Sequence, residues 1–352
     1  MRYRVLGGTG IEVSAYCLGT MMFGAIGNPD HTDSVRVIHA ALDQGINFVD
    51  TADMYSMGES EEIVGKALRD PKRRAETVLA TKGYFTMGDG PARGGLSRRW
   101  LTRAVEDSLT RLGTDWIDLY QVHRPDHRTD IEETLAVLGD LQAQGKIRAF
   151  GCSTFPAEQI VEAHAVADRR GLRPFRTEQP PYSLLARGVE NAVLPVARKY
   201  GMGVLTWSPL ASGFLTGKYR KGQPVDLTSG RPSITPHRFD PEIPGNAAKL
   251  DAVEQLVALT EEIGCSLPEL ALAFAAAHPA VTSVIIGPRT RDQLDGLLKG
   301  APLVLDDEVL DRIDEIVPPG TNLYQADGAW RPPHMTDPAL RRRPVGDRAA
   351  AG

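Results

Sequence analysis

The sequence predicts an α/β protein whose strands form a closed (β/α)8 barrel, the TIM-barrel architecture. Two observations predict this fold class. Strand-like and helix-like segments alternate until eight strands have been counted, and eight βα units in roughly 300 residues favour a closed barrel over an open sheet. Polar residues also follow the ends of neighbouring strands, which is where the functional groups of parallel barrels gather.

The predicted strands are short apolar runs, and the predicted helices are segments in which apolar residues recur every three or four positions. The strands cover residues 14–18, 46–50, 78–82, 117–122, 147–152, 175–179, 203–207 and 283–286. The helices cover residues 59–68, 97–112, 156–170, 193–200, 248–263 and 267–277, and two more carry Val35, Ile38 and Leu42, and Leu135, Leu138 and Leu141. Ser97 is expected to cap its helix, and Pro268 suits a first helical turn.

Two segments depart from this alternation. The residues before Ser14 alternate on either side of a glycine-rich turn at residues 7–10, which predicts an N-terminal β-hairpin that closes the barrel floor. Residues 208–245, after the seventh strand, are rich in Gly, Pro and Ser. Because long loops in compact domains are usually functional, this loop is a candidate binding element.

The remaining organisation is simple. We predict one barrel domain over residues 1–320 and a C-terminal tail over residues 321–352. The tail loses periodicity and carries three consecutive arginines at 341–343, so we expect it to be partly disordered and solvated.

The composition indicates an ordinary globular protein and excludes some partners. Of 352 residues, 42% are hydrophobic and 24% are charged, with a net charge of -5. Without a basic field, we expect neither nucleic acid nor an anionic membrane as the main partner. Cys17, Cys152 and Cys265 are widely spaced, as is typical of structural thiols in a reducing compartment. With no apolar leader or run of about 18 apolar residues, we expect a cytoplasmic protein. The oligomeric state stays open.

Four polar residues near the ends of the second, third and fourth strands are compatible with proton transfer to a carbonyl oxygen. They are Asp50, Tyr55, Lys82 and His123. A tyrosine hydroxyl is a weak acid at neutral pH, and a nearby ammonium makes it a stronger one by stabilising the phenolate. Lys82 can supply that charge, Asp50 can hold the lysine, and His123 can orient the substrate oxygen. Each residue alone is more often structural, but together they point to an oxidoreductase.

Several motifs carry a family resemblance, and they occur in order between residues 3 and 317. They are Leu18-Gly-Thr-Met, Asp50-Thr-Ala-Asp-Met-Tyr55, Gly58-Glu-Ser-Glu-Glu-Ile-Val-Gly65, Thr81-Lys82, Tyr120-Gln-Val-His-Arg-Pro-Asp126, Gly151-Cys-Ser-Thr-Phe155, Gln179-Pro-Pro-Tyr-Ser-Leu184, Trp207-Ser-Pro-Leu210 and Gly213-Phe-Leu-Thr-Gly-Lys-Tyr219. Together they resemble the aldo-keto reductases, in particular the bacterial branch related to potassium-channel β-subunit-like members.

The resemblance implies an NADP(H)-dependent reductase of an aldehyde or ketone, such as a keto-sugar or a secondary metabolite, with the four polar residues as its catalytic tetrad. The loop after the seventh strand would clamp an extended cofactor. The implied cofactor-binding residues are Gly19, Thr20, Met21, Asp50, Ser153, Thr154, Gln179, Trp207, Ser208, Pro209, Leu210, Gly213, Lys218, Arg231, Gly287, Arg289 and Gln293. Trp207 would stack on the nicotinamide, and Arg289 would bind the adenosine 2′-phosphate and favour NADP over NAD.

Some positions depart from the family pattern. Thr154 stands where many relatives have Asn, and a hydroxyl replaces only part of the hydrogen bonding of an amide. Gly296 and Leu297 stand where many relatives have Glu-Asn, so we expect adenine recognition to differ here. The expected substrate pocket is apolar, and its candidate residues are Met22, Phe23, Met54, Tyr84 and Phe85. These side chains are equally compatible with plain packing.

Two alternatives to the reductase stay open at this point. The chain could be a cofactor-bound regulatory or redox-sensing subunit with little turnover, as some members of the family are. It could also be a lyase in which Lys82 forms a Schiff base with a carbonyl substrate. No metal site is expected, because Pro125 separates His123 from His127 in a predicted loop.

Overall fold

The computed structural model describes residues 1–90, 92–228, 230–329 and 331–348, and in them a closed parallel barrel confirms the predicted fold class. The N-terminal hairpin pairs β1 (Tyr3–Val5) with β2 (Glu12–Ser14) in antiparallel fashion. The barrel strands follow as β3 (Tyr16–Gly19), β4 (Phe48–Asp50), β5 (Val78–Gly83), β6 (Ile117–Val122), β7 (Ile147–Ser153), β8 (Thr177–Gln179), β9 (Gly203–Thr206) and β10 (Ser283–Ile286). The barrel closes because β10 pairs with both β9 and β3.

The structure corrects some predicted strand boundaries. The first barrel strand begins at Tyr16 and not at Ser14, because Ser14 belongs to the hairpin and pairs with Tyr3. Strand β4 begins at Phe48, two residues later than expected. The preceding Asn47 uses its side chain to hold the hairpin, accepting from the Ser14 amide at 2.7 Å and donating to the Glu12 carbonyl at 3.0 Å. Strand β8 also begins two residues late, and β9 ends one residue early.

The helices of the described residues surround the barrel. They are α1 (His31–Asp43), α2 (Glu59–Ala67), α3 (Pro71–Glu76), α4 (Arg98–Leu112), α5 (Ile131–Ala143), α6 (Ala157–Arg170), α7 (Val193–Lys199), α8 (Gly230–Ile234), α9 (Pro244–Ile263), α10 (Leu267–Ala277), α11 (Arg291–Lys299), α12 (Asp307–Ile316) and α13 (Pro333–Thr336). Ser97 caps α4 as predicted, and Pro268 lies in the first turn of α10. In the described part of the chain, none of these helices is long and apolar enough to cross a membrane.

The hydrophobic core has two parts, and the inner part determines where along the barrel axis the candidate site begins. A large cluster fills the space between strands and helices. A smaller cluster lies inside the barrel; it includes Phe48, Ala80, Leu119, Ala149 and Leu205 and is joined from below by Leu6 and Val13 of the N-terminal segment. Because side chains alternate along a strand, residues two positions further along these strands also face the barrel interior, one layer higher.

The first residues of the predicted tail pack against the barrel. The Arg187 amide donates to the Thr321 carbonyl at 2.8 Å, and the Leu323 amide donates to the Leu185 carbonyl at 3.2 Å. Further along, the buried Lys249 of α9 pairs with Asp327 at 3.1 Å. Residues 330 and 349–352 of the tail lie outside the described residues. The domain limit at residue 320 therefore stays a prediction.

Candidate active site

The barrel brings the polar residues of neighbouring strands together at its C-terminal rim. Asp50 is the last residue of β4, Lys82 is the penultimate residue of β5, and His123 directly follows β6. Asp50 and Lys82 stand two residues beyond Phe48 and Ala80, so their side chains form the layer above the apolar interior. The site is therefore a polar cap on a packed barrel, closed from below.

Lys82 is the centre of this cap. Its ammonium donates to the Asp50 carboxylate at 2.6 Å, to the Thr51 carbonyl at 2.7 Å and to the Tyr55 hydroxyl at 3.3 Å. The side chain is completely buried. Burial disfavours the charge, but the negative charge of Asp50 and the interaction with Tyr55 outweigh it, so the pKa of Lys82 is raised. At neutral pH, Lys82 is therefore a charged donor beside the Tyr55 oxygen.

Tyr55 reaches the lysine because the loop after β4 is tied to its neighbours. The Asp53 amide donates to the Lys82 carbonyl at 3.0 Å, and the Tyr55 amide donates to the Ala52 carbonyl at 3.1 Å. After Tyr55, Ser56 and Met57 both have positive φ, a conformation that is uncommon without glycine and recurs at functional sites. This turn ends the loop and starts α2, so the position of Tyr55 is set on both sides.

His123 is a buried, neutral neighbour of the tyrosine. Its ring lies edge-on to the ring of Tyr55 at 5.9 Å and to that of Phe85 at 5.0 Å between centroids. Burial, with the charges of Lys82 and Arg124, lowers the pKa of His123 well below its ordinary value. Its Nδ1 atom is buried and has no partner among the described residues. A neutral imidazole can donate one hydrogen bond from one of its two nitrogens.

The second oxygen of Asp50 is held by two amides. Gln179 donates to Asp50 Oδ1 at 2.9 Å, and Gln121 donates to the same atom at 3.3 Å. The sequence reasoning missed Gln121. Its signal was present, because Gln121 follows the inward-facing Leu119 by two residues on a strand and precedes His123 by two. A polar residue at an interior position of a barrel strand indicates a site residue.

The predicted cofactor-binding residues all lie at this rim. Gly19, Thr20 and Met21 are at the end of β3, Ser153 and Thr154 at the end of β7, and Gln179 at the end of β8; Trp207, Ser208, Pro209, Leu210, Gly213 and Lys218 follow β9, and Gly287, Arg289 and Gln293 follow β10. Arg231, in α8, comes within 4.0 Å of the sulfur of Met21. With Asp50 at the end of β4, seven separate segments thus converge on one mouth.

The loop after β9 has an unusual backbone. Ser208, Ala211 and Ser212 have φ values of 59°, 47° and 59°, and Gly213 has 102°. A run of left-handed residues can form a concave surface of backbone N–H groups that suits an anion. In this loop the amides of Ala211 and Gly213 donate to the Ser208 and Leu210 carbonyls, each at 2.8 Å. The Lys218 ammonium lies next to this turn. It is 3.7 Å from the position that a Cβ atom on Gly213 would occupy.

The predicted carboxamide-binding residues form one hydrogen-bonded group. Ser153 donates its hydroxyl to the Gln179 carbonyl at 2.9 Å, and the Thr154 amide donates to the same oxygen at 3.1 Å. Thr154 has a φ of 60°, which turns its side chain away from the strand direction. On the other side of the mouth, Arg289 is exposed, and Gln293 accepts from its amide at 2.8 Å.

The candidate substrate residues divide into two groups. Phe85 contacts His123, and Tyr84 packs edge-on to Phe85 at 5.2 Å. Met54 immediately precedes Tyr55 and is partly exposed. Phe23, in contrast, is completely buried in the outer core, where its amide donates to the Thr20 carbonyl. It therefore offers no surface to a ligand. Met22 is partly exposed and lies in the same loop, and its carbonyl accepts from the Asn28 amide.

A (β/α)8 barrel with this buried Lys82–Asp50 pair beside Tyr55 at its C-terminal rim suits proton transfer to a carbonyl oxygen, as a carbonyl oxidoreductase requires. The model of the aldo/keto reductase family matches residues 15–318. The chain therefore belongs to that family, and the resemblance found in its motifs is confirmed.

The chain is similar to curated relatives over most of its length. An uncharacterised oxidoreductase of Bacillus subtilis (strain 168), YrpG, is 40% identical over 341 residues, which cover 94% of this chain and 100% of the relative. A probable voltage-gated potassium channel subunit beta of Oryza sativa subsp. japonica is 38% identical, covering 90% of this chain and 97% of its own. The aldo-keto reductase YhdN of Bacillus subtilis (strain 168) is 39% identical, covering 84% and 88%.

Proposed function

We propose that this protein uses NADPH to reduce an aldehyde or ketone to an alcohol. The observation that carries the proposal is the buried Lys82 ammonium, which lies 2.6 Å from Asp50 and 3.3 Å from the Tyr55 hydroxyl. A charged lysine held beside a tyrosine oxygen stabilises the phenolate, and so it makes the tyrosine a better proton donor at neutral pH.

Each residue of the tetrad has one task in this proposal. Tyr55 gives its proton to the carbonyl oxygen of the substrate, and Lys82 stabilises the oxygen that remains. Asp50 balances the lysine charge, so that the ammonium can stay buried. His123, being neutral, donates a hydrogen bond to the same carbonyl oxygen and orients it toward the tyrosine.

The residues around the mouth fit a dinucleotide with an anionic backbone. A reduced nicotinamide, when bound, supplies the hydride. Trp207 keeps a buried indole N–H without a partner among the described residues, and its ring could cover a flat heterocycle. Ser153, Thr154 and Gln179 would hold the carboxamide. The segment 208–218, with its left-handed backbone and Lys218, would hold the pyrophosphate.

The proposed preference for NADP over NAD rests on Arg289. Its side chain is exposed at the start of α11 and forms no ion pair with a described carboxylate. A guanidinium can bind a phosphate through two parallel hydrogen bonds, which NAD, lacking the 2′-phosphate, cannot accept. The backbone at Arg289 is held in place by Asn28, whose side-chain amide donates to the Arg289 carbonyl at 3.1 Å. We also propose a cytoplasmic location, since Cys17, Cys152 and Cys265 are free thiols.

The proposal is tested by titrating the purified full chain with NADPH and following cofactor fluorescence, and then by adding 4-nitrobenzaldehyde and following absorbance at about 340 nm. We expect a dissociation constant in the micromolar range and turnover that stops when NADPH is consumed. Replacing NADPH with NADH is expected to weaken binding. Absence of NADPH binding would overturn both the cofactor and the reaction.

A second function is favoured by one observation, the relatives named as potassium channel β subunits. Such a protein could bind the cofactor tightly, turn over little and act on a partner. Tight NADPH binding without turnover of any aldehyde would favour this function. The Schiff-base lyase is disfavoured, because the raised pKa of Lys82 keeps its amine protonated and non-nucleophilic.

A further inference from the structure

Arg124 lies in the wall of the proposed site without having a task in the proposed reaction. It directly follows His123, and its Nη1 atom donates to the His123 carbonyl at 2.6 Å and to the Thr154 hydroxyl at 3.2 Å. These two bonds use both hydrogens of Nη1. One edge of the guanidinium is therefore fixed to the ends of β6 and β7.

The opposite edge is free. A guanidinium carries five N–H donors, and the three on Nε and Nη2 have no protein acceptor among the described residues. The side chain as a whole is only partly buried. Nε and Nη2 point their hydrogens in parallel, which is the geometry that matches the two oxygens of a carboxylate.

Arg124 also lacks a counterion. No ion pair joins it to any described carboxylate. Glu178 is the carboxyl whose charge acts on it, but burial raises the pKa of Glu178 to about 7, so that this group is partly protonated at neutral pH. Partial burial of an unpaired cation is costly, and the cost falls when an anion binds.

The guanidinium of Arg124 lies beside Phe85, one of the candidate substrate residues. Its guanidinium carbon lies 5.8 Å from the centre of the Phe85 ring and 6.0 Å from that of Trp207. These rings flank it at the mouth. An aromatic or aliphatic carbonyl substrate bound against Phe85 would therefore have a cation within reach.

We propose that Arg124 binds a carboxylate on the substrate, so that the enzyme selects anionic aldehydes or ketones. This inference rests on the proposed reductase function and names the substrate class. The apolar ring of Phe85 would contact the hydrocarbon part, and the Nε–Nη2 edge of Arg124 would pair with the carboxylate. The charge of the substrate, more than its size, would then determine the rate.

The test compares two aldehydes of similar shape, 4-carboxybenzaldehyde and methyl 4-formylbenzoate, with NADPH as the reductant. We expect wild-type protein to favour the acid in kcat/KM by about 10- to 100-fold, as charge-assisted hydrogen bonds allow. Arg124→Met should lose this preference, because the acid reacts more slowly while the ester changes less than about threefold. Arg124→Lys keeps the charge without the fork and should retain part of the preference.

Arg128→Met is the matched control. Arg128 lies on the same loop, and its side chain is 71% exposed beside Asp126. The substitution removes the same charge away from the site. Its ratio of acid to ester should equal that of wild type, which separates local binding from a general field effect. Circular dichroism would verify that each variant folds.

The outcomes separate this inference from the proposed function. Turnover of the ester without any preference for the acid would overturn the role of Arg124 and leave the reductase intact. Equal losses of kcat/KM for both aldehydes in Arg124→Met would overturn carboxylate binding and indicate that Arg124 only positions His123 and Thr154. Failure to turn over either aldehyde would overturn the proposed function. Calorimetric titration with benzoate would then test the anion site by itself. We expect wild-type protein to bind benzoate and Arg124→Met to bind it at least tenfold more weakly. Absence of benzoate binding to wild-type protein would contradict the anion site.

Discussion

Breaking the buried pair of Asp50 and Lys82 should destabilise the fold more than removing both charges together. In Asp50→Asn, Lys82 keeps its bond to the Thr51 carbonyl at 2.7 Å but loses the carboxylate at 2.6 Å. In Lys82→Met, the carboxylate keeps only the amides of Gln179 and Gln121. An uncompensated charge at such depth costs about 3–5 kcal/mol. Because the remaining hydrogen bonds compensate part of this cost, we expect each single variant to lose about 3 kcal/mol of unfolding free energy, near the lower end of the range.

The double variant Asp50→Asn/Lys82→Met leaves no buried charge, so we expect it to lie within about 1–2 kcal/mol of wild type. Urea unfolding of the full chain at 25 °C, followed by circular dichroism, gives the free energy of unfolding of all four proteins and the coupling energy of the pair. Additive losses, or single variants within about 1 kcal/mol of wild type, would refute the reasoning. All three variants should be catalytically inactive, so retained stability would separate function from folding.

Three further predictions use other groups of the structure. Burial and the nearby Glu61 raise the pKa of Asp53 from 3.8 to about 8. The folded state therefore holds a proton on Asp53 and loses stability as the pH rises from about 4 to 8. Over that range the free energy of unfolding of Asp53→Asn should fall less than that of wild type, and an equal fall in both proteins would contradict this. Burial, with the charges of Lys82 and Arg124, lowers the pKa of His123 well below its ordinary value of 6.5, so kcat should show no inflection from this residue near pH 6.5. An inflection there that disappears in His123→Gln would be evidence against a neutral imidazole. Arg289→Ala should raise the dissociation constant of NADPH by roughly tenfold or more and that of NADH by less than about threefold, whereas Arg291→Ala, which breaks an ion pair to Asp295, should change neither.

Much of the barrel could be predicted because its signals are local. Strand β6 and helix α10 begin and end where apolar periodicity begins and ends. The errors lie where tertiary contacts decide. Ser14 was expected in the first barrel strand, but it pairs with Tyr3 in the hairpin. The Asn47 backbone amide donates to the Ser14 hydroxyl at 3.2 Å instead of to a barrel strand, and β4 begins one residue later. Such long-range hydrogen bonds leave no periodic signal in the sequence.

The same division holds for the candidate site. Lys82 and His123 could be predicted because strand ends of a parallel barrel converge. Phe23 was expected in the substrate pocket, but the chain after β3 turns back and buries it in the core. Gln121 was missed although its inward-facing position on β6 carried a signal. Arg124 was missed because arginine is a common surface residue, and its bonds to the His123 carbonyl and the Thr154 hydroxyl join segments far apart in the sequence.

The most direct test of the account is a single-turnover measurement of Tyr55→Phe with bound NADPH and excess 4-nitrobenzaldehyde. The substitution removes only the hydroxyl that lies 3.3 Å from Lys82. General acid catalysis contributes about 10²- to 10⁴-fold to a rate, so we predict a loss of NADPH oxidation of at least 100-fold, with the dissociation constant of NADPH within about twofold of wild type. A rate within about fivefold of wild type would contradict the assignment of Tyr55 as the proton donor.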